Sequence, residues 1–338
     1  MAASRNQPSV AVIIPFYNGA AFIERALRSV FDQTRTADEI IVVDDGSRPD
    51  ERAALDAILE RYPATLISKA NGGQGSARNA GVVASQSDFL CFLDQDDFYL
   101  ENHIETLVAA IPHGDRRFGY VYGDLYEADA DGNVLRTAII EQHSVHPKRA
   151  IAELLRFDMF ILPSASLISR AAFEAVGGFD SDLRGYEDDD LFLRMFRKGY
   201  TGVFIDKPVT VWCIHTGSTS FGVHMMRSRY RYFTKLLQWF PDNPEMGRYY
   251  FRDCIMPRFG PAFVNDAVKS ARQHGQEARE ILKRYDGLVW SNPTVRRSRK
   301  LFVRLTAWLL LNFSPSLARN LTGFAQWPFA RRIARRVF

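Results

Sequence analysis

The sequence predicts an α/β fold: a mostly parallel central sheet flanked by helices, followed by a helical C-terminal extension. Three observations carry this. The first half alternates short apolar runs with segments of helical period. Polar clusters rich in Asp, Gly and Ser follow three of the apolar runs. Beyond about residue 225 strand-like runs give way to helix-like, increasingly basic segments.

VAVII (10–14) reads as a strand, and 19–33 as a helix with Phe22, Ala26, Val30 and Phe31 near helical spacing. IIVVDDGS (40–47) reads as strand then turn. The segment 49–62 reads as a helix with Leu55, Ile58 and Leu59 on one side. TLIS (65–68) is a short strand, 75–84 a helix behind a glycine-rich turn, and FLCFL (89–93) a strand buried on both faces. RYRYFTKLLQWF (229–240) and ARQHGQEAREILKRYDGLVW (271–290) read as helices.

Hydrophobic content of 46% and charged content of 24% are those of an ordinary globular chain. The three cysteines, Cys91, Cys213 and Cys254, lack ligand spacing, which argues against a disulfide framework or structural zinc. The N-terminus lacks a signal-peptide layout, and no run reaches the ~18 apolar residues of a membrane span. The net charge of +4 hides an asymmetry: residues 287–338 hold ten Lys/Arg and no Asp/Glu. The rest is acidic, with 33 basic residues against 39 acids. An acidic body with a basic tail points to two different partners.

In open sheets of this class, ligands gather at the carboxyl ends of the strands. PFYN, DDGS and DQDD all fall there, which locates one pocket lined by Tyr17, Asp44, Asp45, Asp94 and Asp96. Asp94, Asp96 and Asp97 crowd three carboxylates into four positions, an arrangement suited to a hard divalent cation shared with substrate phosphates. The bland alternative is a solvated acidic turn before a helix. NGGQGSARNAG (71–81) fits a phosphate-cradling loop or a tight turn, and its Arg78 suits phosphate or a planar base. GYEDDDLFLRMFRKGY (185–200) opens a helix with four acids. One of them serves as a general base, or all of them answer the helix dipole. His215, before the turn GSTS (217–220), is either structural or part of a flap over a metal–phosphate site.

Together VAVIIPFYNGAAFIERALRSVFDQT, EIIVVDDGS, NGGQGSARNAG, FLCFLDQDDFY, LPSASLISRAAFEAVGGFD and GYEDDDLFLRMFRKGY resemble the inverting family 2 glycosyltransferases of GT-A fold. The resemblance covers roughly residues 8–220. It implies a Rossmann-like nucleotide-diphospho-sugar transferase domain over 8–224 and a helical region over 225–338. By resemblance, Pro15, Tyr17, Asp45, Arg78 and Asp94 meet the nucleotide, and Asp96 and His215 hold a divalent cation, Mn²⁺ or Mg²⁺. Asp188 is the catalytic base, supported by Glu187 and Asp190. The donor is a nucleotide sugar, with UDP the favoured carrier, and the acceptor a glycan or lipid-linked hydroxyl of cell-envelope synthesis. One departure stands out: Cys213 occupies a position where family members often carry arginine.

Two other readings remain at this level. A sugar-nucleotide pyrophosphorylase shares the core and metal chemistry but has a glycine-rich loop after its first strand, where this chain has PFYNGAAF. A non-catalytic carbohydrate- or membrane-binding module leaves the acids unexplained. LFVRLTAWLLLNF (301–313) and FARRIARRVF (329–338) suit an anionic membrane surface. The acidic body argues against nucleic acid. The expected location is cytoplasmic, peripheral on the inner face of the inner membrane.

Overall fold

The computed structural model describes residues 7–215, 223–269 and 275–312. The chain divides into two compact units, one of residues 1–148 and 159–221, the other of 149–158 and 222–338.

The first unit opens with β1 (Val10–Phe16), α1 (Ala20–Phe31), β2 (Glu39–Asp44), α2 (Pro49–Leu59), β3 (Thr65–Ser68), α3 (Gln74–Ala84) and β4 (Phe89–Phe92). All seven residues of β1 are buried, as a strand flanked on both sides and covered on both faces requires. Helix α2 starts with Pro49 in its first turn, where a missing N–H costs nothing. The chain continues through β5 (Phe98–Tyr99), α4 (His103–Ala109), β6 (Phe118–Ala128), β7 (Val134–Arg136) and α5 (Ile139–His143). After α6 (Ile151–Arg156), which belongs to the second unit, come β8 (Ser166–Ser169), α7 (Arg170–Ala175), α8 (Glu187–Arg197) and β9 (Thr201–Cys213).

The strands form one sheet in the order β3-β2-β1-β4-β8-β6-β9-β5, with β7 on β6. β1 pairs in parallel with β2 and β4, and β6 in parallel with β9. β8 runs antiparallel between β4 and β6, so it reverses the local direction without turning the remaining long strands around. The mostly parallel sheet expected from the sequence is therefore present. Because β2 and β4 lie on opposite sides of β1, the chain leaves the end of β1 at a crevice between diverging connections.

The second unit is helical: α6, α9 (Val223–Trp239), α10 (Met256–Lys269), α11 (Gly275–Ser291) and α12 (Arg297–Asn312). An aromatic cluster holds it, with Phe233 against Phe259, Phe263 and Tyr285 at ring separations of 5.1–6.0 Å. Gly260 is needed on α10, because a Cβ there would stand 2.3 Å from the Tyr285 hydroxyl. Among the described residues no helix is long and apolar enough to cross a membrane.

Candidate active site

The site forms where β1, β2 and β4 release the chain. Pro15 is the penultimate residue of buried β1, and Tyr17 beyond it is 49% exposed. The Gln95 side chain, between the two acids of DQD, accepts from Tyr17 N at 2.9 Å and donates to Tyr17 O at 3.2 Å. That pair of bonds ties the first loop to the acidic loop. It also explains Gly19, where a Cβ would meet the Gln95 amide at about 2.2 Å.

Asp45 is buried and occupied. Its carboxylate accepts from Lys69 Nζ at 2.6 Å, Gly72 N at 2.9 Å and Gly73 N at 2.7 Å. It thereby shapes the glycine-rich turn that sequence reading linked to a nucleotide. Gly73, at φ +86°, takes the left-handed backbone from which α3 begins.

Arg78 on α3 is 1% exposed. Its Nη2 donates to Asp94 Oδ1 at 2.5 Å and its Nη1 to Glu187 Oε1 at 3.2 Å. The ring of Phe179 lies 5.2 Å from the guanidinium. Burial alone would favour the neutral form, but the charges of Asp94 and Glu187 outweigh it and hold Arg78 above its ordinary range. Sequence reading assigned Arg78 to the nucleotide; in the structure both terminal nitrogens serve the two acidic clusters and bring them to one place. Gln74 Nε2 also donates to Asp94 Oδ1, at 2.5 Å.

Asp96 Oδ2 lies 2.9 Å from His215 Nε2, and the His215 ring stacks on Phe22 at 4.9 Å. Asp97 is buried, accepting from Cys213 N at 2.9 Å and Ser164 Oγ at 3.1 Å. It therefore anchors the end of β9, two residues before His215. Burial, then repulsion from Asp94, raises the Asp96 carboxyl above its usual range; burial and both neighbouring acids raise Asp97 further. Such crowded negative charge suits a cation. The donor set of carboxylate oxygens and one imidazole fits Mn²⁺ or Mg²⁺, with phosphate oxygens needed to complete the shell. GSTS (217–220) lies outside the described residues.

The four acids of α8 separate by environment. Glu187 is buried on Arg78, with its other oxygen accepting from Gly185 N at 2.8 Å. Asp189 is buried and accepts from Met159 N at 3.0 Å. Asp190 is fully buried and accepts from Arg194 Nε at 2.8 Å, while Arg194 binds the carbonyls of Val176 and Gly178. Only Asp188 is partly open to solvent. Tyr186 enters the helix at φ +64°, a strained backbone for a bulky residue and the kind of feature found where side-chain placement matters.

Sequence reading missed Arg25, Gln95, Lys69 and the anchoring parts of Asp97 and Asp189. Arg25 was signalled by the departure at position 213. Its Nη2 stands 3.2 Å from Cys213 Sγ and 3.0 Å from the Asp96 carbonyl, so a guanidinium from α1 fills the space beside a small thiol. Among the described residues, Asp124, Glu141 and Asp206 also bring carboxylate oxygens within 4.8 Å of one another. Asp124 there already caps α5, accepting from Ile140 N and Glu141 N.

Residues 11–177 match the model of glycosyl transferase family 2. Those residues belong to that family. An uncharacterised glycosyltransferase of Rickettsia conorii is 35% identical over 190 residues, which cover 56% of this chain and 31% of the relative. The chain thus spans about a third of the length of that relative. The crystal structure of S. aureus TarS 1-349 in complex with UDP-GlcNAc superposes with a TM-score of 0.63 at 15% identity, covering 92% of both chains. Mannosyltransferase PcManGT from Pyrobaculum calidifontis, in complex with GDP-Man and Mn²⁺, gives 0.51 at 20% identity, covering 97% of this chain and 87% of the other. These likenesses establish the GT-A fold for this family 2 chain.

Proposed function

We propose that this family 2 protein transfers a sugar from a nucleotide-sugar donor to an acceptor hydroxyl with inversion at the anomeric carbon. The observation that carries the reading is Arg78. One buried guanidinium joins the acidic loop after β4 to the acidic start of α8, so a donor-holding site and a basic carboxylate adjoin. Pro15, Tyr17, Asp45 and Asp94 face the nucleotide side, and Asp96 with His215 would hold the divalent cation. The cation, when bound, supplies positive charge that offsets the diphosphate. Asp188 accepts the proton of the acceptor hydroxyl. The oxygen then forms its bond to the anomeric carbon from the face opposite the nucleoside diphosphate, which leaves with the electrons of the broken C–O bond. Arg78, Glu187 and Asp190 keep α8 in place for that step. Fold neighbours solved with UDP-GlcNAc or with GDP-Man and Mn²⁺ support a nucleotide-sugar donor, UDP-linked in our reading, and metal dependence.

Asp188→Asn is the test. It keeps the shape and removes the basicity, so transfer falls by 10²–10⁴-fold, the usual range for loss of a general base, while donor binding by calorimetry is retained. Turnover near the wild-type rate would overturn the assignment. The acceptor in this reading is a glycan or lipid-linked hydroxyl of envelope polysaccharide synthesis. The basic residues of 287–338 support a peripheral position on the anionic cytoplasmic face of a membrane in this reading. The stretch 329–338 of that tail lies outside the described residues.

A further inference from the structure

Helix α12 carries apolar side chains on two opposite faces. At 3.6 residues per turn, Val303, Ala307 and Leu310 share one side, and all three are buried. Leu301, Leu305 and Trp308 share the other, and they are 59%, 57% and 51% exposed. Singly exposed apolar residues are normal, whereas three large ones in a continuous stripe mark an interaction surface.

One border of the stripe is cationic. Arg297, Lys300 and Arg304 follow one another along it at helical spacing. Beside it stands Trp290 of α11, itself 45% exposed. The Arg304 guanidinium lies 4.2 Å from the Trp290 ring centroid, and Lys300 Nζ donates to Trp290 O at 2.8 Å. No acid follows Asp286 in the sequence, and Asp286 is already held by Arg304 at 2.7 Å. A second copy of this face would bring the same cations together with no acid to neutralise them. Apolar stripe, a tryptophan at the margin and a basic border match the layered chemistry of a lipid–water interface, and 16 residues are too few to span it.

We propose that Leu301, Leu305 and Trp308 insert into the interface of an anionic bilayer, with Trp290 at the headgroup level and Arg297, Lys300 and Arg304 on lipid phosphates. This rests on the membrane reading above and assigns it to one face. The test is co-sedimentation of the full chain with phosphatidylcholine vesicles, with and without phosphatidylglycerol. Wild-type protein binds the vesicles containing phosphatidylglycerol. The variant Leu301→Gln, Leu305→Gln, Trp308→Gln binds about tenfold less, while its circular dichroism and melting are unchanged. Binding by that variant equal to wild type would overturn the face assignment and leave the basic-tail reading standing. A wild type that ignores phosphatidylglycerol would overturn both. A dimer of the wild type in lipid-free sedimentation velocity that the variant loses would give the face to a second copy and overturn the proposal. Independently of how the triple variant folds, Trp308→Phe lowers quenching of tryptophan fluorescence by brominated lipid; unchanged quenching would also overturn it.

Discussion

Enclosed by protein and gripped by two carboxylates, Arg78 is a charge whose removal leaves two others stranded. Breaking a buried ion pair by deleting one partner costs about 3–5 kcal/mol, because the remaining charge keeps its desolvation penalty. Arg78→Ala should therefore lower the urea unfolding free energy by about that amount, and unaltered stability would contradict the joining role. The acids themselves were legible from sequence, since three carboxylates after an apolar run have few bland explanations. What sequence could not tell is which acids are buried. Asp97 and Asp189 differ from Asp96 and Asp188 by one position each, yet each anchors a distant backbone amide, Cys213 N and Met159 N. Those partners lie 116 and 30 residues away, beyond the reach of any local pattern.

At the level of elements, the β1, β2 and β4 strands were read correctly because strands buried on both faces are continuous apolar runs. β6 and β9 were not read as strands, for a physical reason. FGYVYGDLYEA carries Gly119, Gly123 and Asp124, and TGVFIDKPVTVWC carries Lys207 and Pro208, so neither shows a clean period. Their pairing register shifts near those residues, between Phe118 and Tyr120 and around Asp124. The contact of α3 with the sheet is equally specific. Gly81 faces Ile13, and an added Cβ would stand 2.4 Å from Ile13 Cγ2 and 3.3 Å from Val43 Cγ2. Gly81→Ala should destabilise by about 1–3 kcal/mol through overpacking, read as a lower chemical-denaturation midpoint. Stability equal to wild type would mean that α3 shifts freely on the sheet.

The whole molecule has an acid-sensitive fold written into its interior. His103 is fully buried, stacked on Tyr99 at 3.5 Å, with Nδ1 donating to Val209 O at 3.0 Å. Burial pushes its pKa down to about 3, and burial likewise pushes His146 down to about 4. The unfolded chain, with histidine near 6.5, binds these protons more readily than the folded one. The stabilisation is thus complete above pH ~6.5 and is lost as pH falls through the window towards 3. Between pH 7 and pH 5, wild type should lose about 2 kcal/mol more stability than His103→Asn. Parallel pH slopes for the two would refute the linkage. The division of the chain carries a different consequence. The ten-residue stretch containing α6 leaves the sheet unit, joins the helical one and returns, and its Leu154 and Leu155 are buried. Arg258, a hundred residues later, donates to the Leu154 carbonyl. The C-terminal helices are therefore not a cassette that recombination can exchange between relatives at one junction. A transplant that leaves α6 behind carries a hole, and the host keeps an orphaned greasy peg.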